Sequence, residues 1–134
     1  MGNQVKDEYG EAAIFNELSS SPSSMEASKA ADAYGMCPGG DCQLSDAEQA
    51  YIQSLLKGPP TWVRLPRDRW PQWWVDMGFK DPVCPLLRAL YGHPDSGGYW
   101  EKHCEKHLLS VGFEPVQDWR SCFFHPGLKM FLVV

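Results

Sequence analysis

Apolar positions change rhythm several times along the chain, and each rhythm predicts a different element. Ahead of "MEASKAADAYGM", Ser23 or Ser24 supplies a helix cap, so a helix is predicted from Met25 to about Gly35. "CPGGD" is turn chemistry. "CQLSDAEQAYIQSLLKG" begins as a short extended piece and passes into a helical period carried by Ala47, Ala50, Tyr51, Leu55 and Leu56. "PPTWVRLP" alternates with period two, which predicts a short strand fenced by prolines. Trp62 and Arg64 fall on one of its sides, Val63 and Leu65 on the other. "RDRWPQWWVDMGFKDP" is crowded with aromatics but follows neither period, and no element is assigned to it.

The second half is better patterned. "VCPLLRALYG" is extended or mixed, and "PDSGGYWEKHCEKHLLSVG" predicts a helix started by Pro94 with Asp95 or Ser96 and stopped by Gly112. Its stripe is Trp100, Cys104, His107, Leu108 and Val111. A hairpin follows, "RSCFFH" and "LKMFLVV" joined through "PG", where Pro at the second and Gly at the third turn position suit a type II turn. Strands and helices interleave without a βαβ repeat, so the expected class is α+β, an antiparallel sheet packed on helices. Residues 1–10 are expected to be a polar tail, and 11–134 one domain of ordinary size.

Composition narrows the function classes. An apolar content of 43% and a charged content of 22% suit a globular core. The net charge of -5 argues against a protein that coats nucleic acid over its whole surface, while leaving room for a local basic groove. "MGNQVKDEYG" lacks a signal-peptide layout, and Lys6 stands where the myristoylation pattern needs Ser or Thr. No apolar run approaches the roughly 18 residues of a membrane span. Five irregularly spaced cysteines suggest reduced thiols and an intracellular protein, cytoplasmic or nuclear and not secreted.

Some short motifs could carry chemistry. Asp46, in "LSDAEQAY", is a carboxylate at the passage from extended chain to helix, with Tyr51 five residues on. A two-metal polymerase places an Asp at such a point to hold its cations, with an aromatic under the incoming sugar. The plain alternative is a helix cap and a core tyrosine. "LLRALYGHPDSGGYW" combines glycines that let another backbone approach with aromatics able to stack; it also reads as an ordinary loop and helix start. In "HCEKH", His103 and His107 lie one helical turn apart beside Cys104, half of a zinc site, but neither a Glu of HExxH nor a paired CxxC completes it.

Taken in order, these pieces resemble the reverse transcriptase domain of copia-type retrotransposon polyproteins, from about Glu11 onward. "SDAEQAYIQSLLKGPPTWVRLP" looks like the family's segment with the first metal-binding aspartate. "VCPLLRALYGHPDSGGYWEKHCEKHLLSVGF" looks like its LYG-to-GF segment, and "DWRSCFFHPGLKMFLVV" like the hairpin that follows. The LYG-to-GF segment is the most specific.

The resemblance implies a fingers-and-palm fold whose function is RNA-directed DNA synthesis, with Mg²⁺ as cofactor and with an RNA template, a DNA primer and a dNTP as partners. It gives Asp46 the catalytic and metal-binding role and Tyr51 that of the gate beneath the sugar. Asp95, Ser96 and Gly97 fall in the nucleotide-binding loop, where Asp95 stands in place of the family's Gln and Gly98 in place of its Arg. An amide and a cation exchanged for a carboxylate and a hydrogen weaken a phosphate contact. No YxDD, the motif that completes the metal site after the hairpin, occurs in the sequence. The expectation is therefore a fragment cut before YVDD, lacking the rest of the palm and the thumb, and inactive alone. The alternative expectation is a non-catalytic module that binds nucleic acid or completes a partner's sheet.

Overall fold

A computed structural model describes residue 6, residues 9–11 and residues 23–134. Most of the expected polar tail at 1–10 lies outside the described residues. Helix α1, Met25–Gly35, starts where the serines placed it: the Ser24 side chain accepts a hydrogen bond from the Ala27 N–H at 3.2 Å. The Glu26 carboxyl is held below its ordinary range by its own backbone N–H and by Ser24, a first-turn acid where the helix dipole favours one.

The long helix expected after residue 46 shrinks to α2, Ala50–Gln53. Gln49 enters it in a left-handed conformation (φ 50°), and no side chain caps it. Downstream, the backbone is taken by tertiary pairing: Leu56 N–H donates to the Leu87 carbonyl at 3.0 Å, and Ala89 N–H to the Ser54 carbonyl at 3.0 Å. Hydrogen bonds that could have extended the helix are spent on a bridge between Leu55 and Arg88. The Arg88 guanidinium then donates to the Ile52 and Gln53 carbonyls at 3.2 and 3.0 Å, closing the C-terminal end of α2 with a cation.

Strand β1, Trp62–Arg64, pairs antiparallel with β2, Val83–Pro85, and in both the middle residue is the more buried. The aromatic stretch between them is not featureless: it holds a single 3₁₀ turn at Arg67–Arg69 and the short helix α3, Gln72–Asp76. Helix α4, Ser96–Ser110, follows. Its buried side is narrower than the expected stripe, with Leu108 buried and Trp100 and Cys104 half-buried, while His107 and Val111 face water. The three inward positions are four residues apart, which is one helical ridge.

Gly112, with φ 97°, ends α4. The chain turns into a three-stranded antiparallel sheet ordered β3 (Glu114–Pro115), β4 (Cys122–His125) and β5 (Met130–Val133). The hairpin itself has the expected strands but not the expected turn. His125 pairs with Met130, so four residues form the loop, Gly127 keeps a negative φ and Lys129 takes the left-handed one (51°). A four-residue loop that closes on a left-handed residue matches the strand twist, which a type II turn does not.

One face of the sheet carries Phe124 and Phe131, directly paired, and receives α1: Tyr34 meets both rings edge-on at 6.3 Å and donates its hydroxyl to the Lys129 carbonyl at 2.9 Å. The other face receives the turn after α4, where the His125 ring contacts Phe113 edge-on at 5.2 Å. Buried hydrophobic residues among those described are Ala27, Trp74, Ala89, Leu108, Cys122 and Phe123. The molecule is thus a small mixed assembly of helices and short antiparallel sheets.

Candidate functional site

The site residues named from sequence fall into a tight cluster and one outlier. Asp95, Ser96 and Gly97 stand at the start of α4, directly after the turn that carries Tyr91. Ser96 is buried and stitches this turn shut: its Oγ donates to the Leu90 carbonyl at 2.7 Å and accepts the Leu90 N–H at 3.0 Å. The Ser96 N–H donates to the His93 carbonyl at 3.1 Å, and the His93 N–H to that of Leu90 at 3.1 Å. Residues 90–96 therefore form a double turn held by backbone and one hydroxyl. Tyr51 joins from α2, its ring 4.5 Å from that of Tyr91.

His93 organises the polar centre. Its Nδ1 accepts the Asp95 N–H at 3.2 Å, so in the neutral ring the proton sits on Nε2, which faces the Thr61 hydroxyl at 3.5 Å. Burial pushes the imidazole below its ordinary value, and the Asp95 carboxylate pulls the other way. Asp95 is itself buried, with the Tyr99 hydroxyl in its field. Burial first and this carboxylate second raise the Tyr99 phenol, which donates to the Lys57 carbonyl. Among the described residues no buried side-chain nitrogen or oxygen is left without a partner. The hydroxyls and the imidazole here serve the fold's own backbone, and Asp95 is the group that brings charge to the site.

Asp46 stands apart. It is exposed in irregular chain four residues before α2, so it does not cap that helix, and among the described residues no hydrogen bond or ion pair holds it. No group of three His, Cys, Asp or Glu among the described residues could hold a metal ion. A lone exposed carboxylate does not fit the two cations of a polymerase site, and His103 and His107 with Cys104 do not make a zinc tetrahedron. His103 instead lies against Trp100, with ring centres 6.0 Å apart. All five cysteines are free thiols, and burial raises those of Cys104 and Cys122.

Thr61, His93, Tyr91 and Tyr99 were not singled out for this centre from sequence. "GHPD" held the signal for His93, since a side chain just before Pro-Asp at a helix start is placed to bond the turn's backbone. Thr61 had none, because its partner is 32 residues away. No helix among the described residues is long and apolar enough to cross a membrane. Comparison of the chain with protein-family models, with curated proteins and with solved structures finds no match.

Proposed function

We propose that these residues form the fingers and part of the palm of a copia-type reverse transcriptase, a nucleic-acid-facing portion of an RNA-directed DNA polymerase that does not catalyse by itself. The observation that carries the reading is the segment from Leu90 to Phe113, whose LYG, Trp100 and GF residues occur in the family's order and spacing, while DSGG between them departs from the family's residues. Its fold is compatible: a stitched turn, a fifteen-residue helix, a glycine stop and then an antiparallel hairpin. Tyr51 and Gly97 would face the nucleotide, with the buried Asp95 and Ser96 holding the turn from within, and Asp46 would be the carboxylate nearest the first-aspartate role. No catalytic step is assigned, because the described residues do not fit the family's pair of Mg²⁺ ions.

The reading is tested with the purified chain and a labelled RNA template annealed to a DNA primer. Binding at low salt that weakens as salt rises is expected, together with no primer extension when Mg²⁺ or Mn²⁺ and dNTPs are added. Failure to bind the hybrid at low salt sinks the polymerase reading; templated incorporation sinks the claim of inactivity.

A second reading, a module that completes a partner's sheet, is favoured by β5. Among the described residues this strand is hydrogen-bonded to β4 alone, and none of them pairs with the backbone groups of its other edge.

A further inference from the structure

Residues 67–82 lie between the segments whose motifs carry the resemblance, and none of those motifs includes them. The structure gives this stretch a firm base. Trp70 donates its indole N–H to the Leu65 carbonyl at 2.9 Å, and Arg64 pairs with Asp81 at 2.8 Å across the mouth of the connection. Phe79 N–H donates to the Trp74 carbonyl at 3.1 Å, folding the stretch onto α3. The buried Trp74 ring is the anchor, edge-on to Trp70 at 6.0 Å and to Trp73 at 5.7 Å, and Trp73 is edge-on to Phe79 at 6.2 Å. Trp73 and Phe79 nevertheless remain 55% and 45% exposed. Rings that are braced by other rings and still open to water keep free π-faces for a ligand.

Charge selects the occupant. Six of the chain's twelve Lys and Arg residues fall between Lys57 and Arg88, against three of its seventeen Asp and Glu. Residues 57–88 are thus positive in a chain whose net charge is -5, although 67–82 alone hold three basic and three acidic residues; the excess comes from Lys57, Arg64 and Arg88 on the flanks. Arg67 lies over the Trp70 ring at 5.6 Å, and among the described residues no ion pair holds Arg67 or Lys80. The Arg64–Asp81 and Arg69–Asp68 pairs are both exposed, and pairs of that kind hold weakly and yield to a phosphate.

We propose that this segment binds single-stranded nucleic acid, with bases stacking on Trp73 and Phe79 and phosphates met by Arg67, Arg69 and Lys80. A single strand is chosen over a duplex because only unpaired bases offer their faces to a ring, and every base has one, so binding is tolerant of sequence. The inference goes beyond the polymerase reading and does not rest on it.

The test is fluorescence anisotropy of the full chain with labelled oligo(dT) of about 16 nucleotides. Binding is expected to weaken with salt by about 0.7 in log–log slope for each phosphate neutralised. Trp73→Ala with Phe79→Ala should lose about tenfold or more in affinity with the slope unchanged, and Trp73→Phe should retain most of it. Arg69→Ala with Lys80→Ala should instead lower the slope by about 1.4. Arg69 and Lys80 are exposed, so superimposable unfolding curves are expected for that variant and the parent. The ring variant loses its contacts with Trp74 and unfolds earlier, so its binding is read well below its own midpoint, and Trp73→Phe keeps a ring in place. Absence of binding at low salt overturns the proposal. So does equal affinity for a duplex of the same length that is indifferent to Trp73 and Phe79, or capture by phosphatidylserine vesicles without capture of the oligonucleotide. Loss of oligo(dT) binding in the ring variants with RNA–DNA hybrid binding intact supports the proposal and leaves the polymerase reading standing. Hybrid binding without oligo(dT) binding in the parent sinks this proposal alone.

Discussion

Ser96 and His93 decide the shape of the turn before α4, and each makes a different prediction. Ser96→Ala removes the hydroxyl that serves both polar groups of Leu90. An unsatisfied group in a buried setting costs about 1–3 kcal/mol, so the urea midpoint should fall accordingly; an unchanged midpoint would mean that water replaces the hydroxyl. His93 makes stability depend on pH. Burial lowers its folded-state value below the ordinary value of about 6.5, so the unfolded chain binds the proton more readily. The contribution is complete above about pH 6.5 and is lost as pH falls through the folded-state value, where a proton on Nδ1 would oppose the Asp95 N–H. Asp95 favours the imidazolium and so narrows that window. His93→Gln should flatten the slope of melting temperature against pH just below 6.5; an unchanged slope would place the titration elsewhere. At this scale the sequence was informative for Ser24, which caps α1 as expected, but not for Asp95 or Ser96: neither side chain caps α4, and the Ser96 hydroxyl turns back to Leu90 instead. It was silent on Thr61 and Tyr91, whose partners come from other elements.

Elements were legible where the local signal and the tertiary partner agree. Helix α1 has a serine cap and ends near Gly35 as expected, with Met36 as a right-handed C-cap, and it packs on the sheet through Tyr34. Helix α2 failed because pairing of Ser54 and Leu56 with Leu87 and Ala89 claimed the backbone that the helical period would have used. The aromatic stretch defeated both periods because its prolines and short turns reset the phase before either could repeat. Gly112 and Gly127 show how an element's end is specified, since both lie against the His125 ring. A methyl at Gly112 would meet Nε2 at 2.9 Å with φ at 97°, whereas at Gly127 the nearest atom is 3.4 Å away and φ is ordinary. Gly112→Ala should therefore cost about 1–2 kcal/mol from the backbone alone and loosen the junction of α4 with β3. Gly127→Ala should be neutral or gain up to about 1 kcal/mol through the unfolded chain. Equal shifts in the two urea midpoints would show that the left-handed backbone at Gly112 is not what ends the helix.

For the whole molecule, the balance between core and surface matters more than any one site. Buried hydrophobic residues among those described are few and include two alanines and a cysteine, while Met36, Leu44, Leu87, Met77 and Leu128 stand more than half exposed. Single exposed apolar residues are ordinary, but this many around a thin core favour contact with another surface. Sequence alone could not show this, because an apolar residue predicts burial until the fold decides which faces meet. Net charge of -5 opposes self-association, so the contact should form where charge is sparse and backbone is open. The β5 edge satisfies both conditions, with Phe131, Leu132 and Val133 in a row and Tyr34 covering one face only. Met130 is exposed at the start of that strand, and a lysine there places a charge on the edge without entering the core. Sedimentation should show the parent chain associating as its concentration rises and Met130→Lys remaining monomeric over the same range, with equal thermal stability at low concentration. If both associate alike, the open edge is not the surface involved, and the exposed leucines and methionines of the loops become the place where another surface would join this one.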